Sequence, residues 1–161
     1  MKFIRFFAIF FLALLAACSP GETEAQCKKG ICVSIKVETG VQALEPVLFT
    51  IVVKTEKDVV GLGVSVSGGS IITIGDTEKI PAEAQLVFQD KRSRTWKITT
   101  KSGVEYRISG YAMFPKPTVS YGIFSYSLYA YATHPDSTVV RTSINIYLDS
   151  SGKQVEDGNA K

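Results

Sequence analysis

Apolar residues recur at every second position along most of this chain, the period of strands that bury one face and wet the other. Ile31, Val33, Ile35 and Val37 alternate with Cys32, Ser34, Lys36 and Glu38, and Val47, Phe49, Ile51 and Val53 repeat the pattern. In that second run Leu48 and Val52 make the opposite face apolar too, which predicts a central place or a covered outer face; Pro46 stands just before it, where a missing N–H costs least. Val60, Leu62, Val64 and Val66 alternate with Gly and Ser, Gly68-Gly69 supplies a turn into Ser70 to Ile74, and a short strand is expected around Gln85 to Phe88. Arg94, Trp96 and Ile98 open the next run. After a turn at Ser102-Gly103, residues Val104, Tyr106, Ile108, Ala112 and Phe114 share one face of a strand expected to form a hairpin with it. Pro115-Lys116-Pro117 ends that strand, and Gly122 to Thr133 and Thr138 to Asp149 make a last pair joined at His134-Pro135-Asp136-Ser137.

These segments amount to eight or nine strands, with no capped helical period and no internal repeat after the first 17 residues. The fold class they predict is all-β, an antiparallel two-sheet sandwich. Through Glu45-Pro46-Val47-Leu48-Phe49-Thr50 and the later strands carrying Trp96 and Tyr106, the layout resembles the immunoglobulin-like and fibronectin-type-III-like domains of bacterial surface proteins. The resemblance spans roughly Ile31 to Asp149 and implies an Ig-like architecture, without a motif that implies a function. The Cys…Trp…Cys spacing of antibody domains is missing, because Cys27 and Cys32 both precede Trp96.

Before the strands the pattern changes. Met1 to Arg5 carries two cations, an uncharged apolar run of 12 residues follows from Phe6 to Ala17, and small residues close it: the three-part layout of a secretory signal. The run is well short of the ~20 residues a spanning helix needs. Leu15-Ala16-Ala17-Cys18 resembles the lipobox of bacterial lipoproteins, in which the Cys becomes the first mature residue and is lipidated. That resemblance implies membrane attachment through Cys18 by two or three acyl chains, firmer than the marginal hold of one. The alternative is ordinary cleavage that leaves a soluble secreted protein. Ser19 is not the Asp that marks inner-membrane retention in some Gram-negative families, so the expected address is the extracytoplasmic side of a membrane, the outer one where the bacterium has one.

Of the 161 residues, a signal at 1–17 would leave 144, enough for one domain with a sizeable core. The expected parts are a lipidated, polar tether at 18–30, a sandwich at 31–149 and a polar, frayed tail at 150–161. The formal charge of +3 falls to +1 once Lys2 and Arg5 leave, which argues against nucleic acid as a partner. Cys27 and Cys32 remain as an even pair outside the cytosol and are expected to form a disulfide, with Gly30 able to take the turn between them. A redox or metal role is the alternative; redox pairs usually have a two-residue spacer, and His134 is the chain's single histidine.

Catalytic chemistry finds little to work with. His134 beside Pro135 reads as a turn residue rather than a base. Asp76, Glu78 and Glu83 gather near one loop but lack the spacing of a calcium loop, and Gly61-x-Gly63 lacks the Lys-Ser/Thr of a phosphate loop. Lys91, Arg92 and Arg94 form the densest basic cluster, a solvated strand end or an anion-binding strip. No enzyme, metal or cofactor is expected.

The most informative stretch is Tyr121 to Tyr131, with aromatics on both faces of one strand. Phe124, Tyr126 and Leu128 fit an inner row, leaving Tyr121, Ile123, Tyr129 and Tyr131 as a candidate binding surface, or as a ladder against neighbours such as Tyr147. The function expected is a non-catalytic binding or assembly module for another envelope protein or a glycan. An inhibitor or chaperone of a secreted enzyme, inserting a loop such as Asp76 to Ala84, is the alternative. The anchor reading has a direct check: intact-mass analysis of the mature protein should find acyl chains on Cys18, and Cys18→Ala should move the protein from the membrane to the soluble fraction.

Overall fold

The computed structural model describes residues 21–56, 58–72, 84–98 and 103–156. Cys18 and the carboxylates Asp76, Glu78 and Glu83 lie outside them. Among the described residues, twelve strands run in chain order as β1 (Gly21–Glu22), β2 (Gln26–Lys28), β3 (Ile31–Val37), β4 (Val47–Thr55), β5 (Gly61–Ser67), β6 (Ser70–Ile72), β7 (Gln85–Gln89), β8 (Ser93–Lys97), β9 (Val104–Met113), β10 (Ile123–Thr133), β11 (Val139–Asp149) and β12 (Gln154–Val155). They form two antiparallel sheets, one ordered β1-β3-β4-β9-β6 with β2 also on β3, the other β12-β11-β10-β5-β8-β7. The fold is an antiparallel two-sheet β-sandwich. Its central strands, β3-β4-β9 against β11-β10-β5, follow the A-B-E against G-F-C order of Ig-like sandwiches. The strand that pairs with β9 as D would, β6, instead follows directly on β5.

Each apolar period found in the sequence is a strand. Ile35, Phe49, Ile51 and Ile108 of the first sheet and Leu62, Leu128, Ile146 and Leu148 of the second are fully buried between the sheets. Trp96 enters the same core from β8; its Nε1–H meets no acceptor among the described residues, so its contribution is volume. At one end the core closes on Phe114 and Tyr126, whose ring centroids are 5.5 Å apart. Val52, on the outer face of β4, is also buried and lines a hollow of about 160 Å³ with Thr23, Ala25 and Ser34, consistent with the covered outer face expected for that strand.

One expected pairing is corrected. The strands of Trp96 and Tyr106 do not form a hairpin: β8 pairs with β5 and β7 in one sheet, β9 with β4 and β6 in the other. Both bury their apolar face in the same core, but from opposite sheets, an arrangement that periodicity alone does not distinguish from side-by-side pairing. The segment expected to be a tether is a second difference. From Gly21 it belongs to the sheet: Gly21 and Glu22 pair with Val37 and Lys36, and the Thr23 amide donates to Ile35 O at 2.9 Å. The polar tail likewise supplies β12, and the Gln154 amide donates to Val41 O at 2.9 Å. Main-chain pairing at a sheet edge needs no apolar side chains, so neither strand left a hydrophobic signature.

The Cys pair forms the expected bridge. Cys27 and Cys32 are directly opposite in the β2–β3 hairpin and bonded, with their Cα atoms 4.1 Å apart. The two-residue turn between these strands has φ of 52° at Lys29 and 75° at Gly30, the paired left-handed geometry of a type I′ turn, which Gly tolerates freely. Closing so small a loop restricts the unfolded chain by about 2 kcal/mol. Cys27→Ser/Cys32→Ser should therefore lose about 2 kcal/mol in urea denaturation, and reductant should destabilise the wild type alone.

Candidate functional site

Strand β10 sorts its side chains as the sequence indicates. Tyr126, Leu128, Ala130 and Ala132 are buried, while Ile123, Ser125, Tyr129 and Tyr131 lie on the other face. The four residues read as one binding surface nevertheless divide into two groups. Tyr131 sits opposite Gly63 of β5, and its ring covers that glycine so closely that a Cβ there would fall 2.0 Å from the ring. Its hydroxyl shares a hydrogen bond with Thr95 Oγ1 at 2.7 Å. Tyr129 is capped by the Arg141 guanidinium, 4.2 Å from the ring centroid. These two rings are thus occupied by their own sheet, Tyr131 filling the gap that a glycine leaves in a strand. Tyr121 and Ile123 stand about 20 Å away along the strand, 83% and 36% exposed.

The remaining chemical candidates are held in turns. The Nδ1 of His134 accepts from the Asp136 amide at 3.2 Å, while the Asp136 carboxylate accepts from the Thr138 amide at 2.9 Å and from the Lys29 ammonium. Lys29 lies in the β2–β3 turn, so this ion pair joins it to the β10–β11 loop. Of the basic cluster, only Lys91 and Arg92 are exposed. Arg94 is buried, its guanidinium donating to Asp90 O at 3.1 Å and Ile71 O at 3.5 Å, so it does not contribute to a surface strip. Among the described residues, no three His, Cys, Asp or Glu side chains are grouped to hold a metal.

The feature the sequence reading passed over is β7. This strand ends the second sheet, and all five of its residues are exposed, with Leu86 at 44%, Val87 at 55% and Phe88 at 51%. A bulge between Leu86 and Phe88 interrupts the register with β8. The edge of the facing sheet, β6, packs on β5 and β8, which leaves β7 beyond it. Three consecutive apolar residues in so short a strand were the available signal: an alternating half-buried strand has no use for Val87.

No protein-family model matches the chain, and no curated protein is significantly similar to it.

The Lys29–Asp136 pair makes a prediction with a defined sign. Lys29, foremost, then Thr138 and His134 hold the Asp136 carboxyl well below its ordinary value of 3.8. A carboxylate depressed in the folded state stabilises it above the unfolded pKa, and that contribution is lost as the pH falls below it. Asp136→Asn should therefore melt below the wild type at neutral pH, and the difference in Tm should close progressively once the pH drops under 3.8.

Proposed function

We propose that this chain is a lipid-anchored, non-catalytic lipoprotein of a bacterial envelope, which binds another envelope protein by adding a strand of that partner to β7. The observation that carries the reading is the apolar edge itself: Leu86, Val87 and Phe88 stand in solvent on the last strand of a six-stranded sheet. Proteins normally blunt such an edge with charge, proline or cover, because its free N–H and C=O groups invite pairing. Strand addition uses those groups for affinity and the alternating side chains for choice of partner. A protein partner is favoured over a glycan because Tyr129 and Tyr131, the rings a sugar would stack on, are already engaged by Arg141 and Gly63.

Export is supported by the Cys27–Cys32 bridge, a bond that persists in oxidising compartments. Attachment at Cys18 is supported by the lipobox-like Leu15-Ala16-Ala17-Cys18 behind an apolar signal. The test is photo-crosslinking in the producing cells, with a photoreactive residue at position 87 and a control at position 139. The expected result is one defined adduct from position 87, lost on Leu86→Lys/Phe88→Lys, with none from position 139. Equal labelling at both positions, or none at 87, overturns the strand-addition reading.

A further inference from the structure

Two observations meet at the end of the sandwich where β9 hands over to β10. The first is its surface. Leu44 is 61% exposed, Val119 48%, Tyr121 83% and Ile123 36%. Leu44 belongs to this end because its amide donates to Phe114 O at 2.8 Å. It holds a φ of 67°, a left-handed conformation unfavourable for an ordinary side chain, and its apolar side chain faces solvent. Cations share the end: Lys116 in the β9–β10 connection, and Lys91 and Arg92 in the β7–β8 turn, whose carbonyls accept from Ile71 and Val66. Nearby, the carboxylates of Asp90 and Asp149 are turned onto backbone amides of their own turns and Glu22 pairs with Lys36, while Glu38 and Glu45 are exposed among the described residues.

The second observation is the reach of the chain. Gly21 pairs with Val37, and β1 runs antiparallel to β3, so the N-terminal side of β1 is directed toward this same end. A Cβ on Gly21 would lie 3.1 Å from Ile144 Cδ1, and Ile144 is opposite Leu128. Gly21 is therefore level with the middle of β10, five residues from Ile123, a rise of ~17 Å. Cys18 precedes Gly21 by three residues, at most ~11 Å of extended chain. A thiol anchored at Cys18 cannot hold the Ile123 end of the sandwich clear of a bilayer: with the strands upright, that end passes it by several Å. That overlap matches the ~5–10 Å to which apolar surface settles into the headgroup region.

We infer that this end of the sandwich rests in the membrane surface, with Leu44, Val119, Tyr121 and Ile123 seated among lipid headgroups and Lys91, Arg92 and Lys116 against their phosphates. The inference rests on the reading of Cys18 as the lipidated residue. Tyrosine, aliphatic tips and Lys/Arg are the side chains that water–membrane boundaries favour. The opposite end, with Val139 and His134, then points away from the bilayer.

The experiment uses the full lipidated chain in phosphatidylethanolamine/phosphatidylglycerol vesicles. Cys27 and Cys32 are bonded to each other and Cys18 is taken up by lipid, so an introduced thiol is the reactive one. A polarity-sensitive fluorophore is placed on Tyr121→Cys, on Val119→Cys as a second position at the same end, and on Val139→Cys. At 121 and 119 the emission should shift to the blue and lose most of its intensity when a nitroxide-bearing lipid is added; at 139 it should stay water-like and unquenched. Water-like emission at 121 and 119, with acyl chains found on Cys18 by mass, overturns the inference and leaves the anchor standing. Absence of acyl chains overturns both.

Discussion

Everything in this sandwich depends on the register of β10 between β11 and β5. Leu128 stands opposite Ile144 on one side and Val66 on the other, and Ala130 opposite Thr142 and Val64, so one alternation fixes what faces the core in three strands at once. A slip by one residue would carry Tyr129 and Tyr131 into the interior and turn Leu128 and Ala132 out. The same alternation opposes Tyr131 to Gly63, where the ring closes a gap that no side chain of β5 could fill. The aromatic strand that looks at first like a recognition surface is, over half its length, part of what holds the second sheet in register.

The edges follow a different logic. β1 and β12 are two residues long, and β6 three. Short edge strands give a foreign strand little to pair with. β7 is longer and bulged, and it stands out because its exposed residues are Leu86, Val87 and Phe88. The bulge limits indiscriminate pairing by twisting the strand, yet leaves Leu86, Val87 and Phe88 presented. That combination of an open edge with a local irregularity suits a chosen partner better than open-ended stacking.

How much of this was legible depends on what periodicity encodes. It reports which face of a strand is buried, so the nine apolar segments, the β10–β11 hairpin and the inner row of β10 were all readable. It does not report which sheet a strand joins, so β8 and β9 were paired when they in fact belong to opposite sheets. Strands held by main chain alone, β1 and β12, leave no trace in hydropathy. Arg94 looked exposed beside Lys91 and Arg92 because sequence cannot show a guanidinium turned in to carbonyls at Asp90 and Ile71. Of the candidate surface, Tyr121 and Ile123 are open as expected. Tyr129 and Tyr131 are covered by Arg141 and by the closure over Gly63, a pairing that only the β5–β10 register reveals.

The docking of Gly21 and Thr23 on β3 changes what a lipid anchor at Cys18 would do. A free tether of 12 residues between Cys18 and Ile31 would let the domain sample many heights and orientations. With the proposed anchor, a tether that ends at Gly21 would remove most of that freedom and narrow the attitude of the strand axes to the bilayer and the height of β7 above it. Strand addition at a single five-residue edge is weak when both partners diffuse in three dimensions. Confined to one surface in a fixed attitude, each partner meets the other at a much higher effective concentration, and a weak contact becomes an occupied one without any new interaction. Under the proposed function, pairing at the first sheet's edge would bear on recognition at the second sheet's edge through geometry, with no conformational change required of either.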